Sequence, residues 1–285
     1  MDQDRKIVIN LKKMKGNSKR KLEIPIKQEE TVKKSKPIPK TLTIRVKKSI
    51  KRKMDTGISL HVKKEFRQEL VFQRVKDHMK LCGYPLMPHQ VEGVKWMIDR
   101  ESPNNPIKGG LLCDDPGLGK TIQMCACMVG NPAKRTLMIV PCSVIEQWKK
   151  VLMEVFPDQS VMLHRGSKRP RGYHGIARRY RSCGFVITTI GTLRKDYHTM
   201  GNISGYWNRI VFDEIQDIRN NGSSQKAALT MSSRVKWGLT GTPIQNRLSD
   251  LMNIYRFVGI DDEENRNMES TRELNKRYMK RRTKS

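Results

Sequence analysis

Five short apolar runs, separated by longer stretches of mixed composition, constrain the fold of this chain more than any other feature of its 285 residues. The runs are GGLLC (109–113), TLMIV (136–140), FVIT (185–188), RIVF (209–212) and VKWGLT (235–240). Near-continuous apolar runs with helical stretches between them are typical of strands buried on both faces of a parallel sheet. The sequence therefore predicts an α/β fold with a mainly parallel sheet flanked by helices.

Polar and small residues follow each of these runs. The segments are, in chain order, DDPGLGKT, PCS, TIGT, DEIQD and GTPIQN. In open parallel sheets, ligands bind beyond the carboxyl ends of the strands, where such segments meet. The functional site is therefore expected at that edge of the sheet.

The segment 114–121, DDPGLGKT, has the composition of a phosphate-binding loop. Its glycines allow backbone N–H groups to turn toward an anion at the positive end of the following helix. Lys120 is predicted to reach the β- and γ-phosphates of a nucleotide, and the Thr121 hydroxyl to ligate Mg²⁺. Asp114 stands at the first glycine position of the GxxxxGK[ST] pattern, so an ordinary loop before a helix is the alternative. The strand–turn–helix context favours the nucleotide interpretation.

Two carboxylates, Asp213 and Glu214, directly follow the apolar run RIVF. Asp213 suits Mg²⁺ coordination through water, and Glu214 suits polarising an attacking water, since phosphoryl transfer depends on positioning and electrostatics. A solvated strand end is the alternative for an acidic pair taken alone. Together with the phosphate loop, the pair favours a nucleotide site.

Six segments, in chain order, resemble the motifs of one enzyme family. They are LMPHQVEGVKWM (86–97), GGLLCDDPGLGKT (109–121), TLMIVPCSVIEQW (136–148), FVITTIGTLRKD (185–196), DEIQDIRN (213–220) and LTGTPIQNRLSDL (239–251). This set is similar to the first RecA-like lobe of the Swi/Snf-type ATPases of helicase superfamily two. The resemblance implies a RecA-like P-loop NTPase lobe with ATP and Mg²⁺ as cofactors and nucleic acid, with DNA expected, as its partner.

The resemblance also implies a role for each matching residue. The implied ATP contacts are Gln90, Asp115, Gly117, Leu118, Gly119, Lys120 and Thr121. The implied catalytic residues are Lys120, Asp213 and Glu214, with Thr121 and Asp213 as the Mg²⁺ ligands. The residues implied to couple nucleotide state to nucleic acid are Gln216, Thr240 and Thr242. Contacts to a nucleic-acid backbone are implied for Pro141, Ser143, Thr188 and Thr189, with strand-end capping as the alternative.

The chain departs from the family pattern in three ways. Gln216 stands where the family usually has His, and Cys113 and Pro116 alter the phosphate loop. Only 34 residues follow the last motif, so the second RecA-like lobe is expected to be absent. In the family that lobe supplies an arginine finger, which is worth roughly 10³–10⁵ in rate. The chain alone is therefore expected to bind ATP weakly and hydrolyse it slowly, with a second-lobe polypeptide or other subunit as a possible partner.

The net charge of +29 is unevenly distributed along the chain. The first 80 residues hold 25 basic and 9 acidic side chains, and residues 1–65 contain no Phe, Trp or Tyr. High charge with few aromatic residues predicts a disordered basic arm over 1–62, before a RecA-like lobe over 63–260 and a charged tail over 261–285. The alternations IVINL (7–11) and TLTIRV (41–46) could form strands, but no neighbouring segment is evident as their partner.

Other charged and sulfur-containing segments allow more than one interpretation. The basic clusters of the arm suit nuclear import, nucleic-acid contact or simple solvation. The stretch 165–181 has seven basic residues and no acidic one, which suits a grip on a phosphate backbone or a solvated loop between strands. Cys125 and Cys127 have the wrong spacing for zinc and are predicted to be small core residues.

Several classes of protein are excluded. No apolar run approaches the roughly 20 residues that span a bilayer, so no membrane partner is expected. The first residues do not form a secretory signal, and six scattered cysteines suit a reducing compartment. An intracellular location is therefore expected, in the nucleus or, for a large DNA virus, in the viral factory or virion. A non-catalytic ATP- or DNA-binding module and a fragment of a split or truncated gene are the alternatives to an ATPase lobe.

Overall fold

The computed structural model of the chain describes residues 6–11, 20–25, 60–201, 207–220, 222–243, 248–260 and 268–284. The chain divides into two compact units, residues 1–71 and 72–285. The helix α1, Leu60–Leu81, spans the division between them.

The described part of the first unit contains a two-stranded antiparallel sheet. Strand β1 is Lys6–Leu11 and strand β2 is Arg20–Pro25. Ile7 lies opposite Ile24 and Ile9 opposite Leu22, so apolar positions pair with apolar positions. The expectation that IVINL has no partner strand is therefore wrong, because RKLEIP carries a matching alternation within a highly charged segment. The segment TLTIRV lies outside the described residues, and disorder of the remaining arm stays a prediction.

The second unit is built on a seven-stranded parallel sheet. Its strands are β3 (Gly109–Leu112), β4 (Thr136–Ile139), β5 (Ser160–Leu163), β6 (Cys183–Thr188), β7 (Arg209–Asp213), β8 (Val235–Leu239) and β9 (Met279–Lys280). They lie in the order β5-β6-β4-β7-β8-β3-β9, and each neighbouring pair is parallel. The predicted fold class and all five predicted strands are confirmed.

Helices cover both faces of this sheet. They are α2 (Pro88–Arg100), α3 (Lys120–Gly130), α4 (Ile145–Val155), α5 (Gly172–Tyr180), α6 (Ile190–Gly201), α7 (Ser223–Thr230), α8 (Leu248–Val258) and α9 (Met268–Tyr278). The core cluster shared with α2, α3 and α4 contains Leu112, Met138 and Val211, whereas Leu111, Leu137 and Ile210 lie in the opposite cluster. Successive residues of each strand are thus buried on opposite faces, which explains the continuous apolar runs.

Cys125 and Cys127 illustrate this packing. Both lie on α3 with fully buried side chains in the core cluster beneath that helix. Burial raises the pKa of each thiol, so the neutral form is favoured there. The prediction that they are small core residues is confirmed.

Two strands of the second unit were not predicted. Strand β5 lies at the sheet edge and is only partly buried, so its sequence SVML lacks a strong apolar signal. Strand β9 pairs with β3, and the preceding Tyr278 is buried in the core. The predicted charged tail over 261–285 is therefore wrong for residues 268–284. Leu274 packs against the core, but the residues around it in the sequence are mostly charged or polar, so the segment shows no apolar pattern.

None of the helices in the described residues combines the length and apolar character needed to cross a membrane.

Candidate functional site

The predicted site residues meet at one edge of the sheet because their strands are neighbours. The phosphate loop 114–119 follows β3, Asp213 ends β7, and Thr240 follows β8, which lies between them. The Asp213 position pairs with Leu239, and the Thr240 N–H donates to the Leu112 carbonyl at 3.2 Å. The structure therefore places these residues together at the carboxyl ends of three neighbouring strands, and their role as a ligand site stays a prediction.

The phosphate loop depends on glycine at two positions. Gly117 and Gly119 adopt φ values of 86° and 76°, in the left-handed region that favours glycine. A Cβ at Gly119 would lie 2.3 Å from the Gln90 Nε2 atom, so a larger residue there would displace the Gln90 amide. Helix α3 begins at Lys120, directly after Gly119. The first N–H groups of a helix have no helical acceptor, so this turn offers donors to an anion.

Lys120 lies inside the turn of the loop. Its Nζ atom donates to the Asp114 carbonyl at 2.7 Å and lies 3.4 Å from the Asp115 carbonyl. The ammonium therefore lies against neutral carbonyl oxygens of the loop, and a negatively charged phosphate oxygen would be a stronger acceptor for it. The contact of Lys120 with nucleotide phosphates stays a prediction.

Gln90 holds the far side of the loop. Its Oε1 atom accepts the Met87 N–H at 3.0 Å, and its Nε2 atom donates to the Leu118 carbonyl at 3.3 Å. The same carbonyl accepts a bond from Gln123 Nε2 at 3.2 Å. The structure therefore brings Gln90 to the phosphate loop, and its predicted adenine contact stays a prediction.

The two carboxylates differ in their surroundings. Asp213 accepts the Trp148 indole N–H at 2.8 Å and the Glu214 N–H at 3.1 Å. Burial raises the pKa of the Asp213 carboxyl, and the bond from Trp148 partly offsets this rise. Glu214 has φ of 55° and ψ of 52° and is the one non-glycine residue with positive φ in the described ranges. Such backbone strain concentrates at functional sites, where the surrounding structure maintains it.

A chain of hydrogen bonds connects Glu214 to the segment after β8. Gln216 Nε2 donates to Glu214 Oε2 at 2.8 Å, and Gln216 Oε1 accepts the Thr240 hydroxyl at 2.6 Å. Thr240 Oγ1 in turn accepts the Thr242 N–H at 3.0 Å. The structure thus brings together all three residues predicted to couple nucleotide state to nucleic acid. Because an amide both donates and accepts, Gln216 completes this chain without a histidine.

The four predicted backbone contacts lie at strand ends, apart from the phosphate loop in the sequence. Pro141 and Ser143 flank the start of a short 3₁₀ turn, Cys142–Val144. The Thr188 hydroxyl is buried and donates to the His164 carbonyl at 2.9 Å. Thr189 Oγ1 accepts the Thr192 N–H at 3.2 Å at the start of α6. These bonds favour the strand-end capping interpretation for the two threonines, whereas Ser143 is exposed.

A buried polar cluster anchors the basic stretch 165–181. His164, with its side chain fully buried, contacts Tyr180 OH through Nδ1 and Asp196 Oδ2 through Nε2 at 2.9 Å, and an Arg169 nitrogen lies 3.0 Å from Asp196 Oδ1. Burial lowers the pKa of His164. Burial would raise the pKa of Asp196, but its hydrogen bonds to Arg169 and His164 outweigh this and lower it. Arg171, Arg178, Arg179 and Arg181 remain exposed.

Sequence reasoning missed three residues of the site. Trp148 binds Asp213, and Gln123 Nε2 donates to Asp114 Oδ2 at 2.9 Å. Gln123 is a lone polar residue in the apolar helix sequence IQMCAC, which is a signal that could have been noticed. Arg282 contacts Asp114 across 168 positions of the sequence, and no local pattern reveals such a contact.

Comparisons with known proteins agree with this geometry. The family profile described as "SNF2-related domain" matches residues 89–284. A candidate ATP-dependent helicase/translocase of Bacillus subtilis is 36% identical over 180 residues, which cover 61% of this chain and 19% of that protein. A DNA excision repair protein ERCC-6-like of Danio rerio is 31% identical over 182 residues, covering 61% of this chain and 12% of that protein.

Solved structures give the same result for the fold. The Sulfolobus solfataricus SWI2/SNF2 ATPase core in complex with dsDNA matches with a TM-score of 0.56 and 25% identity. The match covers 70% of this chain and 44% of that chain. The chain thus spans about a fifth or less of the length of these two curated relatives and less than half of the matched structure.

Proposed function

The chain belongs to the family of the SNF2-related domain, and from this premise we propose that it is the ATP-binding lobe of a DNA-stimulated ATPase and translocase. The observation that carries the proposal is the continuous arrangement of phosphate loop, paired carboxylates and threonine segment on three neighbouring strands. Full turnover is proposed to require a second RecA-like lobe, on the same or another polypeptide. An intracellular location, nuclear or viral, suits a DNA substrate.

The phosphates of ATP would bind at the loop. The amides at the start of α3 and the Lys120 ammonium supply donors at a turn whose positive φ values favour glycine. Thr121, in the first turn of α3, would ligate Mg²⁺, and Asp213 would hold it through water. Each Asp213 oxygen accepts one hydrogen bond from the protein, which leaves acceptor capacity for such waters. Bound Mg²⁺ would neutralise charge that develops on the phosphate oxygens.

Glu214 would polarise the attacking water. Its side chain accepts a hydrogen bond from Gln216, and its backbone has a positive φ directly after β7. Through the same amide, Thr240 and Thr242 would sense the state of that carboxylate. The hydrogen-bond chain supports the proposed coupling between hydrolysis and the segment after β8.

Replacing Lys120 by alanine is expected to weaken nucleotide binding by about 10- to 100-fold. The variant loses a charge-assisted bond to phosphate, and such bonds contribute about 1.5–3 kcal/mol. The measurement is titration of the full chain with a fluorescent ATP analogue and Mg²⁺, followed by anisotropy. Lys149→Ala is the control, since that lysine is partly exposed and its Nζ atom makes only a surface contact of 3.9 Å with Glu146 Oε2 on α4. Equal affinity of Lys120→Ala and wild type would contradict the nucleotide site.

DNA is the proposed polymer because the matched structure contains an SWI2/SNF2 core in complex with dsDNA. The exposed arginines on α5 and beside it supply a basic surface whose base is anchored by the buried His164 cluster. Exposed guanidinium groups favour phosphate contacts that are independent of base sequence.

The double variant Arg178→Gln/Arg179→Gln is expected to flatten the salt dependence of DNA binding. Each lost phosphate contact reduces the slope of log affinity against log salt by about 0.9, so two contacts reduce it by about 1.8. Binding of the full chain to a fluorescent duplex between low and moderate salt measures this slope. Lys276→Gln/Arg277→Gln is the matched control, because it removes an adjacent exposed basic pair on another helix, α9. A slope unchanged in the α5 variant would exclude these arginines from the DNA surface.

A non-catalytic binding module is the second candidate function. The observation that favours it is Gln216, an amide at the position where the family usually has a histidine. This alternative predicts salt-dependent DNA binding together with ATP turnover that stays at background, with or without a second-lobe polypeptide.

A further inference from the structure

The last described residues of the chain run alongside the phosphate loop. We call residues 279–284 the strap. Its first part is β9, in which Met279 pairs with Leu111 and Lys280 with Leu112 of β3. The pairing continues past the end of β3: the Cys113 N–H donates to the Lys280 carbonyl at 2.7 Å, and the Asp115 N–H to the Arg282 carbonyl at 3.0 Å. The strap therefore holds the first residues of the phosphate loop as an edge strand would.

Arg282 joins the strap to the loop by a buried ion pair. Its Nε atom donates to Asp114 Oδ1 at 2.9 Å, and a terminal nitrogen contacts Asp114 Oδ2. The Asp114 side chain is fully buried, and that of Arg282 is 16% exposed. Removing one partner of such a pair leaves the other as an uncompensated buried charge, so the two groups are strongly dependent on each other.

The same guanidinium reaches both helices that flank the loop. It donates to the His89 carbonyl near the start of α2 and to Gln123 Oε1 on α3 at 2.6 Å. Gln123 in turn donates to Asp114 Oδ2 at 2.9 Å and to the Leu118 carbonyl at 3.2 Å. Arg282 thus stands at the centre of a network that touches the loop at its beginning and near its end.

The network extends to the phosphate-binding side of the loop. The Asp114 carbonyl accepts the bond from Lys120 Nζ, so the residue that pairs with Arg282 also positions the lysine. The end of the strap lies against the loop as well: the Lys284 N–H donates to Asp115 Oδ2 at 3.1 Å. A Cβ at Gly117 would lie 2.8 Å from Lys284 Nζ, which places a second ammonium at the glycine turn.

Strand β3 can be covered at its open edge without the side chains of Arg282 and Lys284. The backbone pairing of β9 alone satisfies that edge, whereas Arg282 and Lys284 lie beyond it, at loop residues 114–117. We propose that the strap is coupled to the nucleotide site, and that Arg282 is the positioning residue that maintains Asp114 and Lys120 for phosphate binding. The inference rests on the proposed function, because it requires a nucleotide in the loop. By linkage, bound nucleotide must then stabilise the docked strap to the same degree that the strap stabilises bound nucleotide.

Hydrogen exchange of the full chain, with and without the analogue ATPγS and Mg²⁺, tests both directions of this coupling. Nucleotide is expected to slow exchange in peptides that cover residues 279–284 as well as in those that cover 114–121. Arg282→Gln is expected to raise exchange in 114–121 without nucleotide and to weaken binding of the analogue by about tenfold or more. Arg282→Lys keeps the charge but loses the two-pronged geometry, so it is expected to recover part of the affinity.

Two further variants separate coupling from simple loss of structure. Lys280→Gln removes a strap cation that pairs with the mostly exposed Glu92, and it is expected to bind the analogue as wild type does. Asp114→Asn/Arg282→Gln removes both charges. Its loss of binding free energy for the analogue is expected to be smaller than the sum of the losses in the two single variants. If Arg282→Gln fails to fold, nucleotide protection of the wild-type strap and the Arg282→Lys affinity decide the question.

The outcomes distinguish this inference from the proposed function. The coupling is overturned if wild type binds the analogue but residues 279–284 gain no protection from exchange. It is also overturned if Arg282→Gln binds the analogue as tightly as wild type does. Either result leaves the proposed ATP site intact. Wild type that does not bind the analogue would refute both the proposed function and the coupling to nucleotide. In that case, faster hydrogen exchange of residues 114–121 in Arg282→Gln would show only that Arg282 stabilises the loop structure, without any link to nucleotide.

Discussion

Glu214→Gln is expected to reduce DNA-stimulated ATP hydrolysis by about 10²–10⁴-fold and to leave nucleotide affinity close to that of wild type. Removing a positioned acid–base group costs this order of magnitude in rate. The substitution keeps the size of the side chain and one amide oxygen that can accept the bond from Gln216 Nε2, now 2.8 Å from the Glu214 carboxylate. Only the charge that polarises water is lost, so the chemical step is affected more than binding.

The measurement is single-turnover hydrolysis of ATP with the full chain in excess, with saturating DNA, and with and without a second-lobe polypeptide. Asp217→Asn is the matched control, because Asp217 is an exposed carboxylate three residues further along the same segment. It is expected to hydrolyse ATP at the wild-type rate. Equal rates for Glu214→Gln and wild type would remove Glu214 from the chemistry. Background rates for wild type under every condition would favour the non-catalytic binding module.

The sheet and the candidate site could be predicted because their signals are local. Each central strand is a continuous apolar run, and each site segment follows its strand directly, as DDPGLGKT follows GGLLC. Parallel topology then brings the carboxyl ends of the strands to one edge without any further information. For this reason the sequence predicted that the phosphate loop and Asp213 lie together, whereas Gln216 and Thr240 were implied only by the family resemblance and their hydrogen bond was not predicted.

The contacts that the sequence did not reveal are long-range or lie at edges. Arg282 and Asp114 are 168 residues apart, and no sequence pattern around either residue predicts a contact with the other. Strand β5 is partly buried, so its composition is mixed, and β9 is two residues long. The hydroxyls of Thr188 and Thr189 show a different limit. A motif predicts which residues lie at a strand end, whereas the direction of each hydroxyl depends on its neighbours: Thr188 bonds His164, which follows β5, and Thr189 bonds Thr192 in the next helix.

A second buried ion pair lies where β7 begins, at the other end of that strand from Asp213. Arg209 Nε donates to Glu101 Oε1 at 2.8 Å, and Trp237 Nε1 donates to the same oxygen at 2.8 Å. Asn131 Nδ2 donates to Glu101 Oε2 at 2.6 Å, and the Asn131 carbonyl accepts a bond from Arg209 at 2.6 Å. The whole side chain of Glu101 is buried, as is nearly all of Arg209. This pair connects the end of α2 with β7, β8 and the end of α3, at the opposite end of β7 from the proposed nucleotide site.

Glu101→Ala is therefore expected to lower the free energy of unfolding by about 3–5 kcal/mol, the cost of leaving a buried charge without its partner. The variant also leaves the Trp237 indole N–H without its acceptor. Urea unfolding of the full chain, followed by tryptophan fluorescence, measures the change. Glu146→Ala is the control, because Glu146 is 79% exposed and forms only a surface pair with Lys149; such pairs contribute about 0–1 kcal/mol.

The double variant Glu101→Met/Arg209→Met separates the charge from the packing. It removes both buried charges and replaces them with apolar side chains, so it is expected to be more stable than Glu101→Ala despite carrying two substitutions. Because the pair lies at the opposite end of β7 from Asp213, folded double variant is expected to bind the fluorescent ATP analogue as wild type does. A Glu101→Ala variant as stable as Glu146→Ala would show that Arg209 is satisfied without Glu101. A double variant less stable than Glu101→Ala would show that packing, rather than the paired charge, determines stability at this position.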